Sequence, residues 1–222
     1  MNVIEYADRE MLAMGLADEL ASELKNCLLV HPFASFVVPG GTTPGPVFDS
    51  LCAADLEWDK VHVMLSDERW VPEDHPRSNA GLIRERLLVD RAAAASFIPF
   101  HRAGETPESA APVLSAELAD EMPISLLLLG MGEDMHTASL FPGAAGLAAM
   151  LADDAPLVVP VTVEGQEPRI SFSGPALNGA MSKHLVIFGA EKRAALERAR
   201  GLNPVDAPIR AVLDGMTIHW AD

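Results

Sequence analysis

Ile124-Ser125-Leu126-Leu127-Leu128-Leu129-Gly130-Met131-Gly132-Glu133-Asp134-Met135-His136-Thr137-Ala138-Ser139-Leu140-Phe141-Pro142-Gly143 runs from an apolar stretch into a glycine-punctuated turn that presents Asp134 and His136. The apolar run is too short to span a membrane, and Gly130 and Gly132 end it. It therefore reads as a buried parallel strand over residues 124–129 whose carboxyl end opens into a loop. In open α/β sheets such strand ends hold ligands, so this loop is where chemistry is expected first.

The flanking sequence repeats the same strand-to-helix unit. After Asp8, suited to cap a helix, Leu12, Leu16, Leu20 and Leu24 recur every four residues and give an opening helix one core-facing stripe. Residues 34–38 read as a strand. Pro39-Gly40-Gly41-Thr42-Thr43-Pro44 follows as a tight turn, with Pro44 suited to the first turn of a helix carrying Val47, Phe48 and Leu51. Residues 61–65 give another strand, then a polar loop over 66–79 and a helix carrying Leu82, Ile83, Leu87 and Leu88. A short strand near Phe97 and Ile98 and a helix over about 107–120 lead to the 124–129 strand. Residues 157–163, 169–173, 184–188 and 216–220 read as further strands, 175–180 and 191–200 as helices, and 143–156 as an irregular insertion. Alternating strands and helices imply an α/β fold: a mainly parallel, Rossmann-like sheet with helices on both faces, in a single domain over residues 1–222.

Composition bounds the partners. Sixteen basic against 32 acidic residues leave a formal charge of −16, which argues against nucleic acid or an anionic membrane, since a phosphate backbone needs a positive surface. A small anion remains compatible wherever basic groups gather locally. Cys27 and Cys52 are too few for a disulfide framework and lack metal-site spacing, so a reducing, cytoplasmic setting is expected. The first eight residues show neither a basic nor an apolar signal region, and no transmembrane run is present.

Several segments are candidates for chemistry. Gly40-Gly41-Thr42-Thr43, between strand and helix, reads either as a structural turn or as a cradle that aims backbone N–H groups at a phosphate; it lacks the Gly-Lys-Ser/Thr ending of a P-loop. Asp67, Glu68 and Arg69 crowd a strand end. They read either as a surface Asp67–Arg69 or Glu68–Arg69 ion pair, with Ser78 capping the next helix, or as a binding cluster. Gly130-x-Gly132 falls one glycine short of the dinucleotide fingerprint, because Met135 holds the third place and no acidic residue ends a following strand at the required distance.

Asp134 and His136 point to one side only if the backbone between them is extended or turned. A hydrogen bond between them would fix the imidazole tautomer and raise its basicity, and imidazole, ordinarily titrating at about 6.5, is suited to take a proton from water at neutral pH. Ser139 has no Gly-x-Ser-x-Gly elbow and reads as structural. No His-Glu-x-x-His pair is present, so no zinc site is expected. Arg169 and Lys192, near element ends, each read alone as a solvated charge, and together as partners for a phosphate.

Taken together, these segments resemble the glucosamine-6-phosphate isomerase/6-phosphogluconolactonase superfamily, over nearly the whole chain and in the family's order. Pro39–Pro44 resembles its Gly-Gly-Ser/Thr-x-Pro loop, and Asp67-Glu68-Arg69-Trp70-Val71-Pro72 with Ser78-Asn79 its Asp-Glu-Arg-x-Val-Pro…Ser-Asn pattern. The 130–143 segment matches Gly-x-Gly-x-Asp-Gly-His-Thr-Ala-Ser-Leu-Phe-Pro except at Met135, where glycine is usual. Pro168-Arg169-Ile170-Ser171 and Phe188-Gly189-Ala190-Glu191-Lys192 are similar to two further segments, with Ser171 and Phe188 as departures.

The resemblance implies hydrolysis of 6-phospho-D-glucono-1,5-lactone to 6-phosphogluconate in the oxidative pentose phosphate pathway, without metal or organic cofactor, by a monomer or homodimer. It implies that His136 is the general base and Asp134 its orienting partner. Gly40, Gly41, Thr42, Arg169 and Lys192 would hold the phosphate, and Asp67 and Arg69 would line the sugar end. An aminosugar-phosphate isomerase/deaminase is disfavoured by the Ala-Ser-Leu-Phe-Pro continuation after Thr137. A sugar-phosphate sensor would normally carry an attached DNA-binding module, for which 222 residues filled by the α/β pattern leave little room. If position 135 needs a positive φ, its methionine is either strained or shifts the turn that aims His136.

Overall fold

Leu126–Leu129 and Ala34–Val38 are buried at every position, as strands covered on both faces must be. The computed structural model describes residues 2–222. Its elements run β1 (Asn2–Glu5), α1 (Arg9–Leu28), β2 (Ala34–Val38), α2 (Gly45–Leu51), β3 (Val61–Leu65), β4 (Asp67–Arg69), α3 (Asn79–Arg86), β5 (Ser96–Ile98), α4 (Pro107–Glu117) and β6 (Leu126–Leu129). They continue α5 (Leu147–Leu151), β7 (Val158–Val161), β8 (Arg169–Phe172), α6 (Gly174–Asn178), β9 (Ser182–Phe188), α7 (Ala190–Ala199) and β10 (Thr217–Ala221).

Seven strands form one sheet in the order β1-β10-β9-β6-β2-β3-β5, and every pairing in it is parallel. The sheet is a doubly wound α/β layer with helices on both faces, as the alternation implies. α1 begins where Asp8 accepts a hydrogen bond from the Met11 N–H at 2.7 Å. Its stripe, Leu12, Leu16, Leu20 and Leu24, is wholly buried against α2, β2, β6 and β10. Burying each such leucine contributes about 1.5–3 kcal/mol, so this stripe anchors the helix more firmly than propensity does.

The structure corrects the sequence reading in four places. β1 was not anticipated; four residues are too few for a periodic signal, and pairing with β10 at the sheet edge creates the strand. The 66–79 segment is not loop throughout. Its first residues form β4, antiparallel to β8, and β8 is in turn antiparallel to β7. The strands expected at 157–163 and 169–173 therefore belong to this second, three-stranded sheet. The 143–156 insertion contains α5, and Pro44 sits at the N-cap of α2 while Pro46 occupies its first turn.

β4 also explains its own acidic residue. Glu68 is fully buried and forms no ion pair with Arg69; its carboxylate instead receives the N–H groups of Arg69, Asn79 and Ala80, each at 2.8 Å, and the Ser78 hydroxyl at 3.2 Å. Ser78 caps α3 from the other side, accepting from Gly81 N–H at 3.1 Å. Burial pushes the Glu68 carboxyl up from its ordinary value, and the backbone donors partly offset this. Glu68→Ala strands three buried donors, each costing about 1–3 kcal/mol. The variant should lose at least ~3 kcal/mol in urea unfolding with an unchanged slope; a midpoint equal to wild type would show that the carboxylate is dispensable.

Candidate active site

The order of the main sheet fixes where a ligand can sit. From β2 the chain winds outward through β3 and β5 on one side, then returns to β6 and winds through β9 and β10 on the other. The carboxyl ends of β2 and β6, adjacent and parallel, therefore diverge into separate loops and leave a crevice between them. That crevice is a cleft of about 260 Å³, walled by the Pro39–Pro44 turn on one side and by Gly130, Met131, Gly132, His136 and Ala138 on the other.

The His136 loop is built by backbone turns. Met135 N–H donates to Gly132 C=O at 3.0 Å, and Gly132 N–H donates to His136 C=O at 3.0 Å. Within this turn Asp134 Oδ1 accepts the His136 backbone N–H at 3.2 Å and lies 2.5 Å from His136 Nδ1. The carboxylate is acceptor-only, so Nδ1 carries the proton and Nε2 keeps its lone pair. Phe141 packs against the imidazole with ring centroids 4.4 Å apart.

Gly132 is required by close approach: a Cβ there would lie 2.3 Å from His136 Nδ1 and 2.5 Å from Asp134 Oδ1. Met135 does occupy the left-handed region, with φ of 68°, so its position is one that favours glycine. The methionine itself takes the strained left-handed backbone, its half-buried side chain packs on the core, and its carbonyl accepts the Ile209 N–H at 3.1 Å.

Around the loop, the residues singled out in the sequence converge. Gly40, Gly41, Thr42, Asp67, Arg69, Arg169 and Lys192 all line the same cleft as His136, while Asp134 stands behind the imidazole. Gly41 has φ of 82°, and Lys192 lies in the first turn of α7. Arg169 is not a solvated charge but is 6% exposed, held by Gln166 Oε1 at 2.7 Å and stacked over Phe141 at 5.1 Å. Burial draws its guanidinium below the ordinary value and Asp67 opposes this; it stays cationic at neutral pH. The Nε atoms of Arg69 and Arg169 are buried without a protein acceptor.

Asp67 is 6% exposed and does not pair with Arg69. It takes the hydroxyls of Ser66 at 2.9 Å and Ser139 at 2.5 Å, with Arg169 at 4.0 Å. Ser139, fully buried, is thus a tie between loop and sheet, in line with its structural reading. Sequence reasoning assigned no role to Asn79, although it lines the cleft and its side-chain amide donates to Asp67 C=O at 2.8 Å. Its position directly after a helix-capping serine was the available signal.

Fold and cleft together define a doubly wound α/β enzyme with a polar cleft at its topological switch point. The chain belongs to the family described as glucosamine-6-phosphate isomerases/6-phosphogluconolactonase, whose sequence profile matches residues 7–220. It is 38% identical over 228 residues to a 6-phosphogluconolactonase of Rhizobium meliloti, covering 99% of this chain and 98% of the relative. It is 39% identical over 216 residues to one of Pseudomonas aeruginosa, covering 94% and 90%. A crystal structure of a 6-phosphogluconolactonase from Shewanella baltica superposes with a TM-score of 0.95 at 31% identity, over 100% of this chain and 98% of that one.

The glycine at position 132 yields a direct test. Gly132→Ala pushes its methyl into the Asp134–His136 contact, so turnover should fall at least tenfold while the melting temperature changes little. Unchanged turnover would show that the pair is not held against this glycine.

Proposed function

We infer that this protein hydrolyses 6-phospho-D-glucono-1,5-lactone to 6-phospho-D-gluconate, the lactonase step of the oxidative pentose phosphate pathway. Near-full-length identity to proteins named 6-phosphogluconolactonase supports the activity. The observation that carries the mechanism is the 2.5 Å Asp134–His136 contact, facing the cleft that also holds Gly41, Thr42, Arg169 and Lys192. We assign the roles as follows. His136 Nε2 takes a proton from water as its oxygen attacks the lactone carbonyl, and Asp134 holds the ring and stabilises the imidazolium that forms. The tetrahedral intermediate then collapses, the ring C–O bond breaks, and the departing sugar oxygen takes from His136 the proton that water gave up, leaving as a hydroxyl. A lactone is a reactive ester, so an oriented base and water suffice without a covalent nucleophile.

The phosphate belongs at the opposite wall. Gly40, Gly41 and Thr42 offer backbone donors after β2, while Arg169 and Lys192 supply charge. Asp67 and Arg69 lie towards the sugar. Among the described residues no helix is long and apolar enough to cross a membrane. The two free cysteines, Cys27 and Cys52, support a reducing cytoplasm, and a monomer or homodimer is the assembly we assign.

The deciding measurement is acid release from freshly generated lactone at neutral pH, corrected for spontaneous hydrolysis, with glucosamine 6-phosphate as the negative control. His136→Ala should lower kcat by about 10²–10⁴; activity equal to wild type would sink the assignment of the base. Lys192→Ala should raise KM about tenfold or more with a smaller change in kcat, as expected for loss of a charge-assisted contact. Met135→Gly should keep or improve turnover, because glycine adopts the observed φ freely. A fall below a tenth of wild type would show that packing of the methionine side chain, not the backbone turn, aims the imidazole.

A further inference from the structure

Away from the cleft, the sheet holds a second histidine cluster that the lactonase chemistry does not use. His184 on β9 and His219 on β10 are buried neighbours, with His184 Nδ1 3.0 Å from His219 Nε2. Each ring's outer nitrogen has a partner: His184 Nε2 lies 3.1 Å from Glu23 Oε2, and His219 Nδ1 lies 2.9 Å from the Tyr6 hydroxyl. A second acidic group, Glu19 on α1, points its Oε2 to within 3.9 Å of His219 Nε2 and makes no hydrogen bond there. One oxygen and two imidazole nitrogens thus lie within 4.8 Å of one another, and none of the three residues lines the cleft.

We propose that Glu19, His184 and His219 form a site for one zinc-class divalent cation, held between α1 and the β9–β10 pair. Two imidazoles and a carboxylate are the donor set that zinc takes, with metal–ligand bonds of about 2.0–2.1 Å and a fourth position left to water. Tetrahedral bonds of that length put ligand atoms about 3.4 Å apart. The 3.0 Å and 3.9 Å separations bracket that spacing and the third lies within 4.8 Å, so the ion draws the Glu19 carboxylate inward to close the site. The outer contacts are those that orient metal-bound imidazoles: a carboxylate on His184 and a hydroxyl on His219.

The proton inventory also closes. Without metal, the Glu23 carboxylate fixes the polarity of the chain: Tyr6 O–H donates to His219 Nδ1, His219 Nε2–H to His184 Nδ1, and His184 Nε2–H to Glu23. The metal takes the place of the shared proton, which moves to His219 Nδ1 and is donated to the tyrosine oxygen. Glu19 and Glu23, one helical turn apart and each about one third exposed at the side chain, form the entry.

The test uses the full chain stripped with chelator. Zn(II) binding is followed by competition with a chromophoric chelator, and Co(II) binding by the visible bands of tetrahedral cobalt. Wild type and His136→Ala should each bind one Zn(II) and give the cobalt bands. Glu19→Gln, which leaves the hydrogen-bonded chain intact and should fold normally, should weaken Zn(II) at least tenfold; His184→Gln should abolish the cobalt bands. The proposal is overturned if wild type binds no stoichiometric Zn(II), if Glu19→Gln binds as tightly as wild type, or if His136→Ala removes the binding.

Discussion

A buried aspartate ties the cleft together. Asp67 is almost sealed from solvent, and an ionised carboxylate there is tolerable only if its oxygens are occupied. The groups that occupy them come from separate parts of the chain: Ser66 at the end of β3, Ser139 from the His136 loop, and Arg169 from β8. Its backbone carbonyl takes the Asn79 amide at the start of α3. One residue thus joins the main sheet, the small sheet, the loop that carries the imidazole and a helix N-terminus. Loss of this carboxylate would leave Ser139 and Arg169 without their common partner, so its effect would reach both the His136 loop and the small sheet.

The main sheet supplies what Asp67 fastens. Parallel pairing of Phe36 with Leu126 and Val37 with Leu127 brings the ends of β2 and β6 to the same level, and the change in winding direction sends their loops apart. Backbone donors after β2 and the imidazole after β6 then face each other across one crevice. In a chain of net charge −16, such a crevice attracts an anion only through local concentration of cations, and Arg69, Arg169 and Lys192 provide it.

What could be read from sequence follows from how each signal arises. The Leu12–Leu24 stripe, the glycine turns after Val38 and Leu129, and the Asp8 cap are local, and each predicted its element closely. β1 and β4 are made by pairing with distant strands, so no window of sequence contains them. The same holds for Glu68, whose place as a buried helix cap depends on β4 bringing it beneath Asn79 and Ala80. The nine candidate site residues were reached from motifs and resemblance, and the structure brings them around one cleft. Their hydrogen-bond partners, Gln166 for Arg169 and Ser139 for Asp67, required the fold. The His184–His219 pair left no trace in sequence spacing, because its partners lie on three elements.

The backbone of the His136 loop shows how the fold spends stability on geometry. Met135 and Ala138, at φ of 68° and 48°, stand on either side of His136 and Thr137 in a region that side-chain-bearing residues rarely adopt. Two such residues cost on the order of 1–3 kcal/mol each and persist only where the surroundings leave no alternative. Here the constraints are identifiable: Ile209 N–H on the Met135 carbonyl, the Thr137 hydroxyl on Gly130 C=O at 2.9 Å, and Ser139 N–H on the Ser171 hydroxyl at 3.3 Å. Each lies on a different wall, so relaxing either residue would break contacts with the main sheet, the small sheet or the segment before β10. The imidazole is therefore aimed by the packing of the whole cleft. A methionine can stand where glycine is usual because three fixed contacts, not the freedom of that one residue, set the turn.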